Sequence, residues 1–220
     1  MDRFFKNILF KKVRERVGGR WVERGAKKRY VGRVIYEKGP VDYLKITGFE
    51  YVRKDASAKT KEIQPKIFEY ILDNKIDELC DYMRNMLDTI KTSFDNGDLR
   101  ISEIAIPTTL KKNPGDYGGL NKNGDKLTPP EYVRGALFSN EWLGEDIRAS
   151  DQVKMIYVRK LRSYPPTDVI SYTDESTLPK DLVIDLDKHI ERTIRMPIEK
   201  VIDSIDLSWQ EIFTPNNKLW

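Results

Sequence analysis

Arg20-Trp21-Val22-Glu23-Arg24-Gly25-Ala26-Lys27-Lys28-Arg29-Tyr30-Val31-Gly32-Arg33-Val34-Ile35-Tyr36 is the stretch on which the fold turns. Val, Ile and Tyr favour a pleated, half-buried backbone, so Trp21 to Glu23 and Tyr30 to Tyr36 read as strands. The turn residues Glu37-Lys38-Gly39-Pro40 precede a third apolar run, Tyr43 to Ile46. Together they predict a hairpin. Upstream, Asp2 to Val17 places Phe5, Ile8, Leu9 and Val13 at three- and four-residue intervals with cations between them. That spacing predicts a basic amphipathic helix stopped by Gly18-Gly19.

Downstream the period changes. Ile63, Ile67, Ile71 and Leu72 share a helical face, with Pro65 either in the first turn or at a kink. Ile76, Leu79, Cys80, Met83, Met86, Leu87, Ile90 and Phe94 form the cleanest helical stripe, ended by Asn96-Gly97-Asp98. Ile101 to Ile106 predicts a short strand, and Asn113 to Pro130 a loop. Tyr132 to Leu143 predicts a helix; Val153 to Lys160 and Val169 to Tyr172 predict strands. Asp187 to Ile205 predicts a closing helix kinked at Pro197. Strands come first, then helices and strands without regular βαβ alternation. The expected class is α+β, not a doubly wound sheet.

Composition narrows the chemistry. The 220 residues carry one Cys and one His, which excludes a disulfide framework, a cysteine-built zinc site and a multi-histidine metal site. No stretch approaches the roughly 20 apolar residues of a membrane span. The net charge of +4 is uneven. Residues 1–66 hold 19 Lys and Arg against 8 Asp and Glu, and the remainder is net acidic. A basic front end points to a polyanion partner.

Pro114 to Gly119 lacks the strand-to-helix setting of a phosphate loop and reads as surface. Asp185, Asp187, His189 and Glu191 lie close enough in sequence for a Mg²⁺ or Mn²⁺ site, and so for a metal nuclease. The stronger reading makes Asp187 the cap of the last helix and its neighbours dipole partners. Cys80 reads as a small helix-face hydrophobe and His189 as a packed or exposed helix residue. No Ser/His/Asp set is arguable. What remains is the cation run Lys27-Lys28-Arg29 beside Tyr30. On a regular strand Lys28 and Tyr30 point one way and Arg29 the other. Such a run is either a solvated basic strand or a contact for nucleic-acid phosphates and groove edges.

Lys27-Lys28-Arg29-Tyr30 resembles the Lys-x-Tyr motif of family B DNA polymerases, where the palm meets the thumb. The segments downstream of it are also similar in order and spacing. Tyr43 to Asp55, with Gly48-Phe49-Glu50 and the basic pair Arg53-Lys54, resembles the lead-in to the thumb. Ile104 to Pro107, Tyr132-Val133-Arg134-Gly135-Ala136-Leu137, Met155 to Val158 and Met196 to Trp209 resemble thumb segments of phage T-even, cyanophage or archaeal members.

The resemblance implies a palm edge over residues 1–47 bearing the motif, a mainly helical thumb with a short β element over 48–212, and a tail over 213–220. It implies that Lys28 touches the template-side minor groove and that Tyr30 binds near the primer's terminal phosphate. Lys27 and Arg29 flank them. Arg53 and Lys54 become candidates for duplex phosphates, and Arg134 belongs to the structural or DNA-facing thumb set.

The family's Tyr-Gly-Asp-Thr-Asp carboxylates are missing, and no Asp-Thr-Asp occurs in the chain. The implied arrangement is the small subunit of a split polymerase, inactive alone. A large subunit would supply exonuclease, fingers, catalytic palm and the Mg²⁺ site, and primer–template DNA would be the shared substrate. A cloned fragment and a standalone DNA-binding module are the alternatives. The N-terminal segment would dock on the large subunit; a membrane-surface helix is the competing reading. Gln210 to Phe213 or Leu219-Trp220 would serve a sliding clamp, against an ordinary tail. No membrane partner and a cytoplasmic setting, or a host's cytoplasm, are expected.

Overall fold

A computed structural model describes residues 3–17, 20–119, 124 and 127–214, with the side chains of 14–17 left aside. The chain packs as two units, Met1–Leu99 with Arg192–Trp220, and Arg100–Glu191. Both combine strands and helices, so the α+β class holds.

The first unit begins with a long hairpin. β1 (Arg3–Val17) pairs antiparallel with β2 (Arg20–Glu37), and β3 (Pro40–Thr47) completes the sheet in the order β1-β2-β3. The helix expected over Asp2 to Val17 is therefore, among its described residues Arg3–Val17, a strand. The ladder slips between Phe4 and Phe5, between Phe5 and Ile8, and between Phe10 and Lys12. Each slip shifts the two-residue alternation, so apolar positions fall three apart and mimic a helical stripe. Gly18-Gly19 lies outside the described residues; the flanking Val17 and Arg20 are partners in the ladder. The Glu37-to-Pro40 hairpin is present, with Lys38 left-handed at φ 60°.

α1 (Ala58–Leu72) and α2 (Ile76–Asp95) follow, after a 3-10 turn at Glu50–Val52. The Ser57 hydroxyl caps α1 by accepting from the Thr60 N–H at 3.2 Å. Pro65 sits in the interior of α1, neither in its first turn nor at its end. The two helices bury Ile63, Ile67, Phe68, Leu79 and Met83, and Phe68 meets Phe49 with ring centres 4.8 Å apart.

The second unit starts with α3 (Ile101–Ile104) and β4 (Ile106–Thr109), where one strand over Ile101 to Ile106 was expected. The apolar run is split: a single helical turn buries Ile104, and the chain then extends into the ladder with Met155. α4 (Glu131–Trp142), β5 (Gln152–Lys160), β6 (Val169–Tyr172) and β7 (Val183–Ile184) complete it. β5 is central, pairing with β4, β6 and β7. Gly135 lets α4 press on β6, since a Cβ there would lie 2.7 Å from the Ser171 nitrogen.

The expected closing helix is four pieces. These are α5 (Leu186–Ile190), a π-helical turn at Glu191–Arg195, α6 (Met196–Ile202) and a 3-10 turn at Asp203–Ile205. The π turn lies directly before Pro197, whose missing N–H and ring bulk disturb the preceding turn. The α5 cap is Asp185, which accepts from the Lys188 N–H at 3.1 Å. Asp187 is in the first turn instead of capping. α7 (Trp209–Phe213) ends the described chain, and its Ile212 is fully buried.

Candidate nucleic-acid interface

The cation run does not sit on a regular strand. Phe10 pairs with Tyr30 and Lys12 with Gly25, so Lys11 alone faces Ala26, Lys27, Lys28 and Arg29. The surplus residues of β2 form a bulge, with Lys28 in the left-handed region at φ 60°. Lys27, Lys28 and Arg29 are all exposed, while Ala26 is buried. The expected alternation, Lys28 with Tyr30 and against Arg29, is lost, because a left-handed residue within the bulge breaks the pleat.

Two glycines shape this bulge. Gly48, just past β3, has φ +71°, and a Cβ on it would stand 2.2 Å from the Lys28 carbonyl oxygen. No side chain fits there. Gly25 lies beneath Phe10, whose Cβ would be 3.2 Å from an added methyl. On the other side the Tyr30 ring meets Phe5 and Phe10, with centres 6.4 and 5.9 Å away. Tyr30 is thus fixed between two rings where the ladder resumes. The sequence reading missed Gly48's part; its signal was a Gly directly after a strand, where a close backbone approach is common.

The remaining candidate residues have surroundings of their own. Arg53 is exposed and pairs with Asp55, Nε to Oδ1 at 2.8 Å, which holds the Asp55 carboxyl below the usual range. Lys54 is exposed. Arg134 belongs to the second unit and makes a two-pronged pair with Asp168 at 2.7 and 3.2 Å. Lys188 joins at 3.4 Å. Arg134 chiefly, and burial working against it, set the Asp168 carboxyl below its ordinary value.

Asp185 and Asp187 both pair with Arg159, at 3.3 and 2.8 Å. Among the described residues no three His, Cys, Asp or Glu side chains converge on a metal position. His189 is buried. Its Nε2 accepts from the Tyr157 N–H at 2.9 Å, and burial pulls its pKa down to about 4. Cys80 is half-buried, and burial pushes its thiol up, away from a nucleophile's range. Gln210 to Phe213 lies within α7, where Arg84 Nε donates to the Ile212 carbonyl at 2.6 Å; Leu219-Trp220 is outside the described residues. Among the described residues no helix is long and apolar enough to cross a membrane.

The family model described as DNA polymerase family B matches residues 25–205. The chain is 37% identical over 93 residues to DNA polymerase 2 of Aeropyrum pernix, covering 42% of this chain and 10% of that protein. It is 21% identical over 210 residues to the DNA polymerase alpha catalytic subunit of Xenopus laevis, covering 94% and 13%. It is 24% identical over 190 residues to a DNA polymerase of Acanthamoeba polyphaga mimivirus, covering 81% and 10%. The chain spans about a tenth of the length of these relatives. With more than four-fifths of its residues inside the family match, from the bulge to the end of the closing helix, the chain belongs to DNA polymerase family B.

Proposed function

We propose that this chain is the small subunit of a split family B DNA polymerase. It grips the primer–template duplex while a larger chain supplies the catalytic carboxylates and their Mg²⁺. One observation carries the reading: the family match runs from Gly25 to Ile205, yet the sequence holds no Asp-Thr-Asp. In this reading residues 1–47 are a palm edge, 48–212 a thumb and 213–220 a tail available to a clamp.

The mechanism is positioning. Lys28 reaches acceptors in the minor groove, Lys27 and Arg29 meet phosphates, and Tyr30 contacts the backbone near the primer end. A bulge pinned at Gly48 and Tyr30 presents these groups with little left to order, so the primer end stays fixed for the partner's chemistry. Phe4, Phe10 and Trp21, at 58%, 50% and 72% exposure, give the hairpin an apolar surface on which the larger chain docks.

The test is affinity capture of this chain from its natural source, followed by primer extension. A stoichiometric larger chain bearing paired carboxylates, with extension that needs both chains, supports the reading. Duplex binding with no such partner turns it to a standalone binding module. Mg²⁺-dependent cleavage by the chain alone, abolished by Asp187→Asn, overturns it in favour of a nuclease.

A further inference from the structure

A second group of cations lies beside the bulge, and the Lys-Lys-Arg-Tyr run does not include most of it. Lys11 is the β1 residue that faces the bulge, and it is half-buried. The neighbouring Lys12 ties β1 to the last helices. Its N–H donates to the Ser204 hydroxyl at 3.2 Å, and its ammonium pairs with Asp206 at 2.6 Å. The Ser204 hydroxyl in turn donates to the Lys200 carbonyl at 3.3 Å. The Lys12–Ser204–Lys200 bonds hold β1 against the end of α6, Lys11 faces the bulge that carries Arg29, and the charges of Arg29 and Lys200 both act on the Lys11 ammonium. None of Lys11, Arg29 and Lys200 forms an ion pair with a described residue, and Arg29 and Lys200 are exposed.

We propose that Lys11, Arg29 and Lys200 form a phosphate-binding cluster that holds the sugar–phosphate backbone of duplex DNA alongside the bulge. Like charges drawn together oppose folding unless a ligand anion neutralises them. Burial, and next the charges of Arg29 and Lys200, push the Lys11 ammonium below its ordinary pKa, while Glu50 opposes them more weakly. An arriving phosphodiester relieves both penalties. A half-buried ammonium on a strand also loses less freedom on binding than one on a loose loop. The inference rests on the duplex-gripping reading above and adds two residues, on β1 and α6, to its contact surface.

The experiment is fluorescence anisotropy of the purified full chain with a labelled primer–template duplex across a salt series. Lys11→Gln and Lys200→Gln are each expected to make the slope of log K against log[salt] shallower by about 0.9, and the double variant by about 1.8. Their thermal midpoints should stay level or rise, because repulsion is removed. Lys200→Arg should restore the slope. Unchanged slopes in variants that bind overturn the cluster and leave the polymerase reading standing. Unchanged slopes with weaker capture of the larger chain also overturn it, and assign these cations to a protein contact. A wild-type chain that binds no duplex, alone or with its partner, overturns the cluster and the grip together.

Discussion

The bulge treats positive charge in the opposite way from Arg100–Glu191 and from the rest of its own unit, where Arg3 is held by Glu37 and Arg33 by Asp42 and Asp73. In Arg100–Glu191, arginines are held by the unit's own acids: Arg134 by Asp168, Arg159 by Asp185 and Asp187, and Arg148 by Asp146. In the hairpin unit, Lys27, Lys28 and Arg29 are lifted clear on a bulge, and Lys11 and Lys200 are set beside them. The first arrangement spends charge on internal order. The second leaves it for an external anion, at some cost to stability. Charge counts alone miss the contrast, because an arginine looks the same in sequence whether a carboxylate already holds it or not.

The largest expected effect sharpens the inward-facing side. His189 has a folded pKa of about 4 against an ordinary 6.5. The unfolded chain therefore binds more protons between those values, so stability is full above about pH 6.5 and falls as the pH drops. The loss should approach about 3 kcal/mol near pH 4. A urea-unfolding series across this window checks it, and His189→Gln should flatten the dependence.

Next, Gly48→Ala should cost about 2 kcal/mol or more in stability, since a methyl group would collide with the Lys28 carbonyl in a left-handed backbone. Duplex affinity should fall with it. A melt and a binding curve on the same sample test whether the bulge needs that gap. Lys28→Ala should leave the melt unchanged and slow primer extension by the reconstituted enzyme about tenfold, equivalent to roughly 1.4 kcal/mol. Equal extension would sink its assigned role.

Smaller effects test the division itself. Asp168→Asn should lower stability by about 1 kcal/mol without touching DNA affinity, because Arg134 is already committed to it. The Asp168 contribution is full above its ordinary pKa, roughly 3.9, and is lost as the pH falls below that. Arg53→Ala, whose guanidinium Asp55 occupies, should change duplex affinity less than twofold; a tenfold loss would place it in the grip and blur the contrast.

Much of this was legible in sequence where the period was regular. The α2 stripe from Ile76 to Phe94, the Tyr132 helix, and the strands at Val153 and Val169 are where their apolar spacing put them. The failures have a common cause, irregular backbone. Slips in the β1–β2 ladder turned strand spacing into apparent helix spacing, and a π turn before Pro197 broke a continuous stripe. At the site, the residue types were readable, but their presentation was not. Nothing local to Lys28 announces a left-handed residue, and Lys11 and Lys200 are 189 positions apart in sequence. Tertiary structure alone brings them together.

The place of β1 at the edge of its sheet has a practical consequence for handling the protein. A fifteen-residue edge strand with exposed Phe4, Ile8 and Phe10 invites pairing with another copy, and the exposed Lys6 acts as its gatekeeper by repelling its counterpart. Salt screens that repulsion as it screens the attraction for DNA. Raising ionic strength to strip nucleic acid during purification should therefore also promote self-association, and colloidal stability should be best in moderate salt with the anionic partner bound.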